Sequence, residues 1–432
     1  MTELVRPRLR HFGTVALFLY AFLGGLGTAG GHIGFGLLII ATLADPAARH
    51  WLLNDRLNRI LAGLLLALWL RAALAWLQTP ELAAATFKAC SKWSWLLLFP
   101  FPVWWLRGDP RRLRLVWLVA LLALIGGVVS AFDWSVLGDL HEHVLSRTGF
   151  HQKIIAFSLF AATAVLGLLL LGPRFLEDQR GNTDWSWRQA ARALIWFAAL
   201  LFLMQALLIA QSRGAWLAVA VSFPPILYLR YRAGFSVGRL ASWQRWGALT
   251  ASVILALFLM ANSHLILGRL GADSDTYSTI LSGNLGKVPT DSAGTRIHLW
   301  NFALRTWLEH PLLGWGPGTT QALVAARGLP GTFLHGQPYD HVHNTYLELL
   351  LQFGLAGLGV ALALFTYAIL SALNAMRRER LPADQAYFII GSLLLMAVWS
   401  LFDFRLLHYE IRFYMILLFA SAFACRLPQV NN

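Results

Sequence analysis

Apolar runs close to membrane length recur from residue 12 to residue 424 of this 432-residue chain, and few folds can accommodate that pattern. The hydrocarbon core of a bilayer takes about 20 apolar residues of helix, slightly fewer where the protein thins the lipid. Twelve runs approach that length: Phe12–Leu26, Ile33–Leu43, Ile60–Leu77, Trp93–Leu106, Leu113–Ala131, Ile154–Leu171, Leu194–Ala210, Ala215–Leu229, Ala248–Ala261, Thr345–Leu370, Ala386–Leu401 and Ile411–Ala424. With 57% hydrophobic and only 13% charged residues, the composition is not that of a soluble domain. The alternating pattern of a closed barrel is absent. The expectation is an all-α polytopic membrane protein with about twelve transmembrane helices. The first two runs, and the pair around Ser212-Arg213-Gly214, can each also be read as one interrupted helix.

Basic loops set the orientation. With both termini in the cytoplasm, Arg6 to Arg10, Arg49 to Arg59, Arg107 to Arg114, Arg174 to Arg192, Arg230 to Arg245, Arg377 to Arg380 and Arg426 fall on one side. The other side keeps roughly half as many, as the positive-inside rule requires of an even number of spans. The formal charge of +14 is thereby spread over short juxtamembrane loops, which argues against a nucleic-acid partner. Arg6 to Arg10 and the apolar stretch after them resemble a cleavable leader, but removing it would upset the parity, so an uncleaved first helix is expected. Trp93, Trp95, Trp104, Trp105, Trp185 and Trp187 stand near run ends and read as an interfacial aromatic belt among membrane lipids. Cys90 and Cys425 are expected near opposite faces and show neither disulfide nor metal spacing.

One long excursion breaks the rhythm. Residues 1–262 read as the first nine helices, 263–343 as one large loop on the side away from the basic set, and 344–432 as the last three helices. Long loops on a rigid scaffold are where binding and catalysis concentrate. This one opens with the polar stretch Gly271 to Ser292, read as turns or loosely ordered chain. A helix follows, capped by Asp291 or Ser292, with Ile297, Trp300, Leu304, Trp307 and Leu308 at helical spacing, and is stopped by Pro311. Its apolar face is expected on the bundle or in the interfacial zone. Leu313 to Gly318 turns the chain, and Thr319 to Ala326 can form a second short helix.

The loop gathers Arg296, His298, His310, His335, His341 and His343. His343 and Asn344 immediately precede the longest apolar run, hence a helix N-terminus, where the dipole attracts anions and disfavours protonating an imidazole. A neutral His with an ordinary pKa of about 6.5 is suited to take a proton from a hydroxyl. The plainer alternative is that the two residues only cap the helix. His341 and His343, with His335 or Asp340, can also be read as a weak metal motif. Glu348, one turn in, can orient a polar partner or the imidazole, or make a simple interhelical hydrogen bond.

Arg213 sits at a run edge with almost no loop, and Arg296 in a helix's first turn, where a cation opposes the dipole. Guanidinium groups bind phosphate oxygens bidentately, so these two suggest a diphosphate clamp. Arg147, Lys153, Arg405 and Arg412 fall on the same face, with headgroup contact as the alternative for the last two. Arg71 is the clearest intramembrane charge.

At these residues the chain resembles the O-antigen ligase family, within a wider group of membrane glycosyltransferases that includes O-antigen polymerases and protein O-oligosaccharyltransferases. Three segments carry the resemblance: Ser212-Arg213-Gly214-Ala215-Trp216; Gly294-Thr-Arg-Ile-His-Leu-Trp300 followed by His310-Pro-Leu-Leu-Gly-Trp-Gly-Pro-Gly318; and His341-Val-His-Asn-Thr-Tyr-Leu-Glu348. The resemblance implies a fold like the GT-C glycosyltransferases, with the loop in the periplasm of a bacterial inner-membrane enzyme. It implies transfer of a preassembled glycan from undecaprenyl diphosphate to a sugar hydroxyl of lipid A-core oligosaccharide, inverting and without metal or other cofactor. Its essential residues carry over to Arg213 and Arg296 for the diphosphate and His343 as the base, with Arg147 and Lys153 on a weaker match and His341, Asn344 and Glu348 as possible support. A transporter or flippase of an anionic lipid-linked glycan is the alternative from another class.

Overall fold

The computed structural model describes residues 2–78, 80–132, 147–150, 152–172, 187–232, 242–283, 287–328 and 331–427. Of the residues used above, Arg174, Arg180, Trp185 and Arg239 lie outside them. The described chain is helical apart from turns and one two-residue antiparallel ladder, Phe333–Leu334 with Gln337–Pro338. Each of the twelve apolar runs is helical to within two residues of its ends, except that the fourth is interrupted, by residues 97–99, between the helices Ala83–Leu96 and Pro100–Leu106, and the tenth is broken at Gly354. Among the described residues six helices are long and apolar enough to cross a membrane, or up to eight if two bent pairs each count as one span. The bent pairs are Thr28–Ala44 with Pro46–Asn54, at 93°, and Ser252–Ala261 with Ser263–Gly271, at 53°.

Two compact units emerge. The first comprises residues 1–130, 285–382 and 400–432, and the second residues 131–284 and 383–399. In the first, the helices Thr2–Leu26 and Thr28–Ala44 pack on each other as a hairpin and not as one interrupted helix. Glycines permit the approach, since a Cβ on Gly34 would come within 2.7 Å of Tyr20 Cα. Trp105 fills the neighbouring core, its Nε1 donating to Thr42 Oγ1 at 2.9 Å, and Trp93 Nε1 donates to Gln352 Oε1 at 3.1 Å. Both rings are buried, so the aromatic-belt reading is corrected for these two: their indole N–H groups find partners inside the protein. In the second unit the helix Ala383–Trp399 is buried on nearly all sides and packs against Ile154–Leu171 and Arg213–Arg232.

The loop is better ordered than its composition suggests. Its polar opening contains a helix, Ser274–Leu281, where turns were expected. Asp291 caps the Ser292–Trp307 helix as expected, accepting from the amides of Ala293 and Gly294. Leu299, Phe302 and Ala303 of that helix, Leu323 and Val324 of Thr320–Arg327, and Val342 and Leu351 close a small core of their own. It fixes Val342, and with it the approach to His343.

The Thr345–Arg377 helix is broken at Gly354, whose φ is +63°. An unpaired break would strand backbone groups, but residues 311–316 satisfy them. Trp315 and Gly316 amides donate to Leu351 and Gln352 carbonyls, both at 2.9 Å, while the Leu355 and Ala356 amides donate to Pro311 and Leu312 carbonyls at 2.9 and 3.1 Å. Two glycines make the exchange possible. A Cβ on Gly314 would lie 2.5 Å from Gln352 C, and one on Gly354 2.4 Å from Leu312 O. The segment His310 to Gly318 therefore acts as the splint of a broken helix.

Candidate functional site

In the first unit, the turn before Thr345–Arg377 brings the two histidines together. Asn344 is the cap: its Oδ1 accepts from Tyr346 and Leu347 amides, and its Nδ2 donates to Leu401 O at 3.0 Å. His343 does not cap. It takes a left-handed conformation, φ +52°, uncommon for a residue with a Cβ. His341 Nδ1 accepts from the His343 amide at 3.2 Å, and the two rings meet edge to face with centroids 4.1 Å apart.

The partner the sequence reading missed is Asp403. Its Oδ1 lies 3.5 Å from His343 Nδ1, 3.2 Å from Arg405 Nε and 2.7 Å from the Phe404 amide that donates to it. Burial would raise this carboxyl, but His343 beside it and then the Arg405 guanidinium outweigh it and hold Asp403 well below the ordinary carboxylate range. Asp403 is therefore ionised at neutral pH, and a carboxylate beside Nδ1 favours the tautomer with its proton there, leaving Nε2 to accept one. His341 is held well below the usual imidazole range, first by burial and then by the charge of His343, and stays neutral. Leu401-Phe-Asp403-Phe-Arg405 carried one weak signal, an acid and a base alternating with aromatics at a run end.

The other expected residues are placed as follows. Arg296 bridges its own first turn and the Asp403 loop, donating from Nη1 to Ser292 O at 2.6 Å and from Nε to Phe402 O at 3.2 Å. Glu348 is fully buried and accepts from Thr320 Oγ1, Gln352 Nε2 and the Val342 amide at 2.5, 2.6 and 2.9 Å. It does not orient an imidazole; it pins the turn that carries both histidines. His335 sits in the turn of the two-stranded ladder, His310 stacks edge-on against Trp315, and His298 Nε2 contacts Val288 O, so none of these three joins His343. Arg405 pairs with Asp403, so it is no simple headgroup contact. Arg71 reaches Gly314 O at 3.4 Å.

His341, His343 and Asp403 each offer one donor atom, all within 4.8 Å of one another, a metal-capable group different from the one with His335 or Asp340. Arg405 donates to Asp403 Oδ1 and the His343 amide to His341 Nδ1, while Asp403 Oδ2 and His343 Nδ1 are buried without a hydrogen bond among the described residues. A metal ion could therefore reach the carboxylate only beside the positive Arg405 guanidinium, which repels it. The arrangement suits a carboxylate-oriented imidazole better than a metal centre.

In the second unit, three arginines converge on the turn between the helices Trp187–Ile209 and Arg213–Arg232, where Gln211 has φ +47°. Arg147 Nε donates to Ala210 O at 3.3 Å and Arg269 Nε to Gln211 O at 3.0 Å. Arg213 pairs with Asp273, while its Nη1 is buried without a hydrogen bond among the described residues. Arg269 and Asp273 were not foreseen, since neither stands in a motif. Lys153 is exposed at the start of Ile154–Leu171.

A helical chain with several helices long and apolar enough to cross a membrane, a histidine–carboxylate pair at the start of one helix and an arginine cluster at the start of another defines a class: multi-pass membrane proteins with charged centres at helix starts. Within that class, the family model described as O-antigen ligase matches residues 197–362, which bears out the resemblance to that family over this segment. The match takes in Arg213, Arg296, His341, His343, Asn344 and Glu348, and leaves out Arg147, Lys153 and Asp403. No curated protein matches the chain.

Proposed function

We propose that this protein is an O-antigen ligase: in the bacterial inner membrane, on the periplasmic face, it transfers a preassembled glycan from undecaprenyl diphosphate to a sugar hydroxyl of lipid A-core oligosaccharide. The observation that carries the reading is the His343–Asp403 pair, with Arg405 beside it, in a chain whose residues 197–362 match the O-antigen ligase family. A diphosphate already activates the donor sugar, so the enzyme must supply a base, charge stabilisation and positioning. His343 Nε2 takes the proton of the acceptor hydroxyl, whose oxygen forms the new bond to the anomeric carbon as the bond to the diphosphate oxygen breaks. A single displacement inverts that carbon. Asp403 orients the imidazole and stabilises it once charged. Arg213 and Arg296 are assigned to the diphosphate with Arg147 and Lys153, and His341, Asn344 and Glu348 hold the turn. No metal or other cofactor enters.

The test is transfer in proteoliposomes from undecaprenyl-diphosphate glycan, with lipid A-core, a second lipid-linked glycan or a pilin-like protein as acceptor, with and without EDTA. Transfer to lipid A-core that is indifferent to EDTA is the expected result. Transfer only to the second glycan or only to the protein would make the chain an O-antigen polymerase or a protein O-oligosaccharyltransferase. Movement of the donor between leaflets with no new glycosidic bond would make it a transporter, and loss of activity in EDTA restored by a divalent ion would turn His341, His343 and Asp403 into ligands.

A further inference from the structure

The end of the Ser292–Trp307 helix and the turn after it carry large apolar side chains that the described residues leave uncovered: Leu308, Leu312 and Leu313 are 65%, 67% and 66% exposed, and Leu304 43%. Water is a poor environment for so contiguous a patch.

We infer that the segment Leu304–Leu313 lies in the interfacial layer of the bilayer, with Leu308, Leu312 and Leu313 against lipid acyl chains. The inference rests on the membrane-spanning reading of Thr345–Arg377 and is independent of the reaction catalysed. Continuity is the first argument. The Leu355 and Ala356 amides, which begin the second half of that helix, donate to Pro311 and Leu312 carbonyls, so the leucine turn is bound directly to it. Leu355 is itself 48% exposed, and exposed Leu362, two turns further on, stands on the same face of the helix.

Length is the second argument. From Leu355 to Arg377 the helix rises about 34 Å, enough for the roughly 30 Å hydrocarbon core, so the break at Gly354 falls at the membrane boundary. The leucines tied to that break then lie at the same depth. Backbone satisfaction is the third. The amides of residues 308, 309, 310, 314, 315 and 316 all have backbone acceptors, and Pro311 has no N–H. The Leu312 and Leu313 amides, with no backbone acceptor among the described residues, need the water of the interfacial layer and keep the turn out of the hydrocarbon core. Trp307 Nε1 donates to Pro311 O at 3.0 Å, so its ring brings no bare donor into lipid. Exposed Arg305, beside Leu304, is placed to reach headgroup phosphates.

Nitroxide labels report the depth. Leu308→Cys, Leu312→Cys and Leu313→Cys are each made in a full chain whose two buried cysteines are replaced by alanine. Each is labelled and reconstituted in phosphatidylethanolamine–phosphatidylglycerol vesicles, with Leu362→Cys as the mid-helix standard. Collision with oxygen is expected to exceed collision with a water-soluble nickel chelate at all three positions, at a depth shallower than Leu362. Dominant nickel accessibility would place the patch in water and overturn the inference. Shielding from both reagents would do so too, because it would mean the patch is covered by protein, such as a second copy of the chain.

Discussion

The two charged centres are built on the same local plan and turn it to opposite ends. Each stands where a helix begins just after a left-handed residue, Gln211 at +47° in one and His343 at +52° in the other. At Arg213 the helix start is surrounded by cations: three arginines approach the turn, and Asp273 is the carboxylate paired there. At His343 the carboxylate Asp403 is shared between an imidazole and a single guanidinium, and a second carboxylate, Glu348, is fully bonded beneath. The first arrangement keeps guanidinium capacity that an anion can take up, and the second has its charges matched around one titratable nitrogen. A helix N-terminus is thus a common frame; under the proposed function, the cations packed around the first suit it to an anion and the carboxylate beside the second suits it to moving a proton.

The sharpest way to break that contrast is to remove each centre's key group. His343→Gln should lower the transfer rate by about 10²–10⁴-fold while insertion and thermal unfolding in detergent stay close to those of the parent. Asp403→Asn should lower it less but shift the pH profile of the rate. Near-normal transfer by the His343 variant would leave the second centre without its role.

Arg213→Ala should act on stability as well, because it strands the buried Asp273 carboxylate; a loss of about 3–5 kcal/mol is expected in thermal or denaturant unfolding. Arg213→Lys should recover much of that stability but not donor affinity, since an ammonium lacks the planar fork. If the lysine variant bound donor as tightly as the parent, the forked contact would not matter.

Gly354→Ala tests the splint on which the histidine turn rests. The positive φ and the 2.4 Å approach to Leu312 O should together cost on the order of 1–3 kcal/mol, read as a lowered unfolding temperature.

The smallest effect is on pH dependence. The folded state holds His341 below its ordinary pKa, so below about pH 6.5 the unfolded chain binds a proton that the folded one refuses, and stability falls as pH drops through that range. Asp403 is also held low, and its contribution is present above about pH 3.9 and lost on further acidification towards its folded value. His341→Gln should flatten the slope between about pH 5 and 6.5 in thermal unfolding and leave the lower one. An unchanged slope would show that His341 titrates freely.

Much of this was legible in the sequence because the signals were local. Apolar runs became helices, Asp291 and Asn344 became caps, and the polar character of residues 335–348 marked the right turn. Signals failed where a residue's task depends on a partner elsewhere. Trp93 and Trp105 looked interfacial by their places in a run, yet a Gln352 oxygen and a Thr42 hydroxyl draw them inward. Glu348 looked able to reach the imidazole from its helical position, but Thr320, Gln352 and Val342 occupy it.

By itself, then, the sequence determined a helical membrane chain, the helix starts and the histidine that stands before one of them, because apolar length and capping chemistry act over a few residues. The tertiary structure alone decided that His343 would face Asp403, that Arg213 would pair with Asp273, and that residues 311–316 would heal the break at Gly354. Those pairings join residues far apart in the chain. Hydrophobic period does not encode them; burial selects them, since a buried charge or an opened backbone group is tolerated only where packing brings its partner.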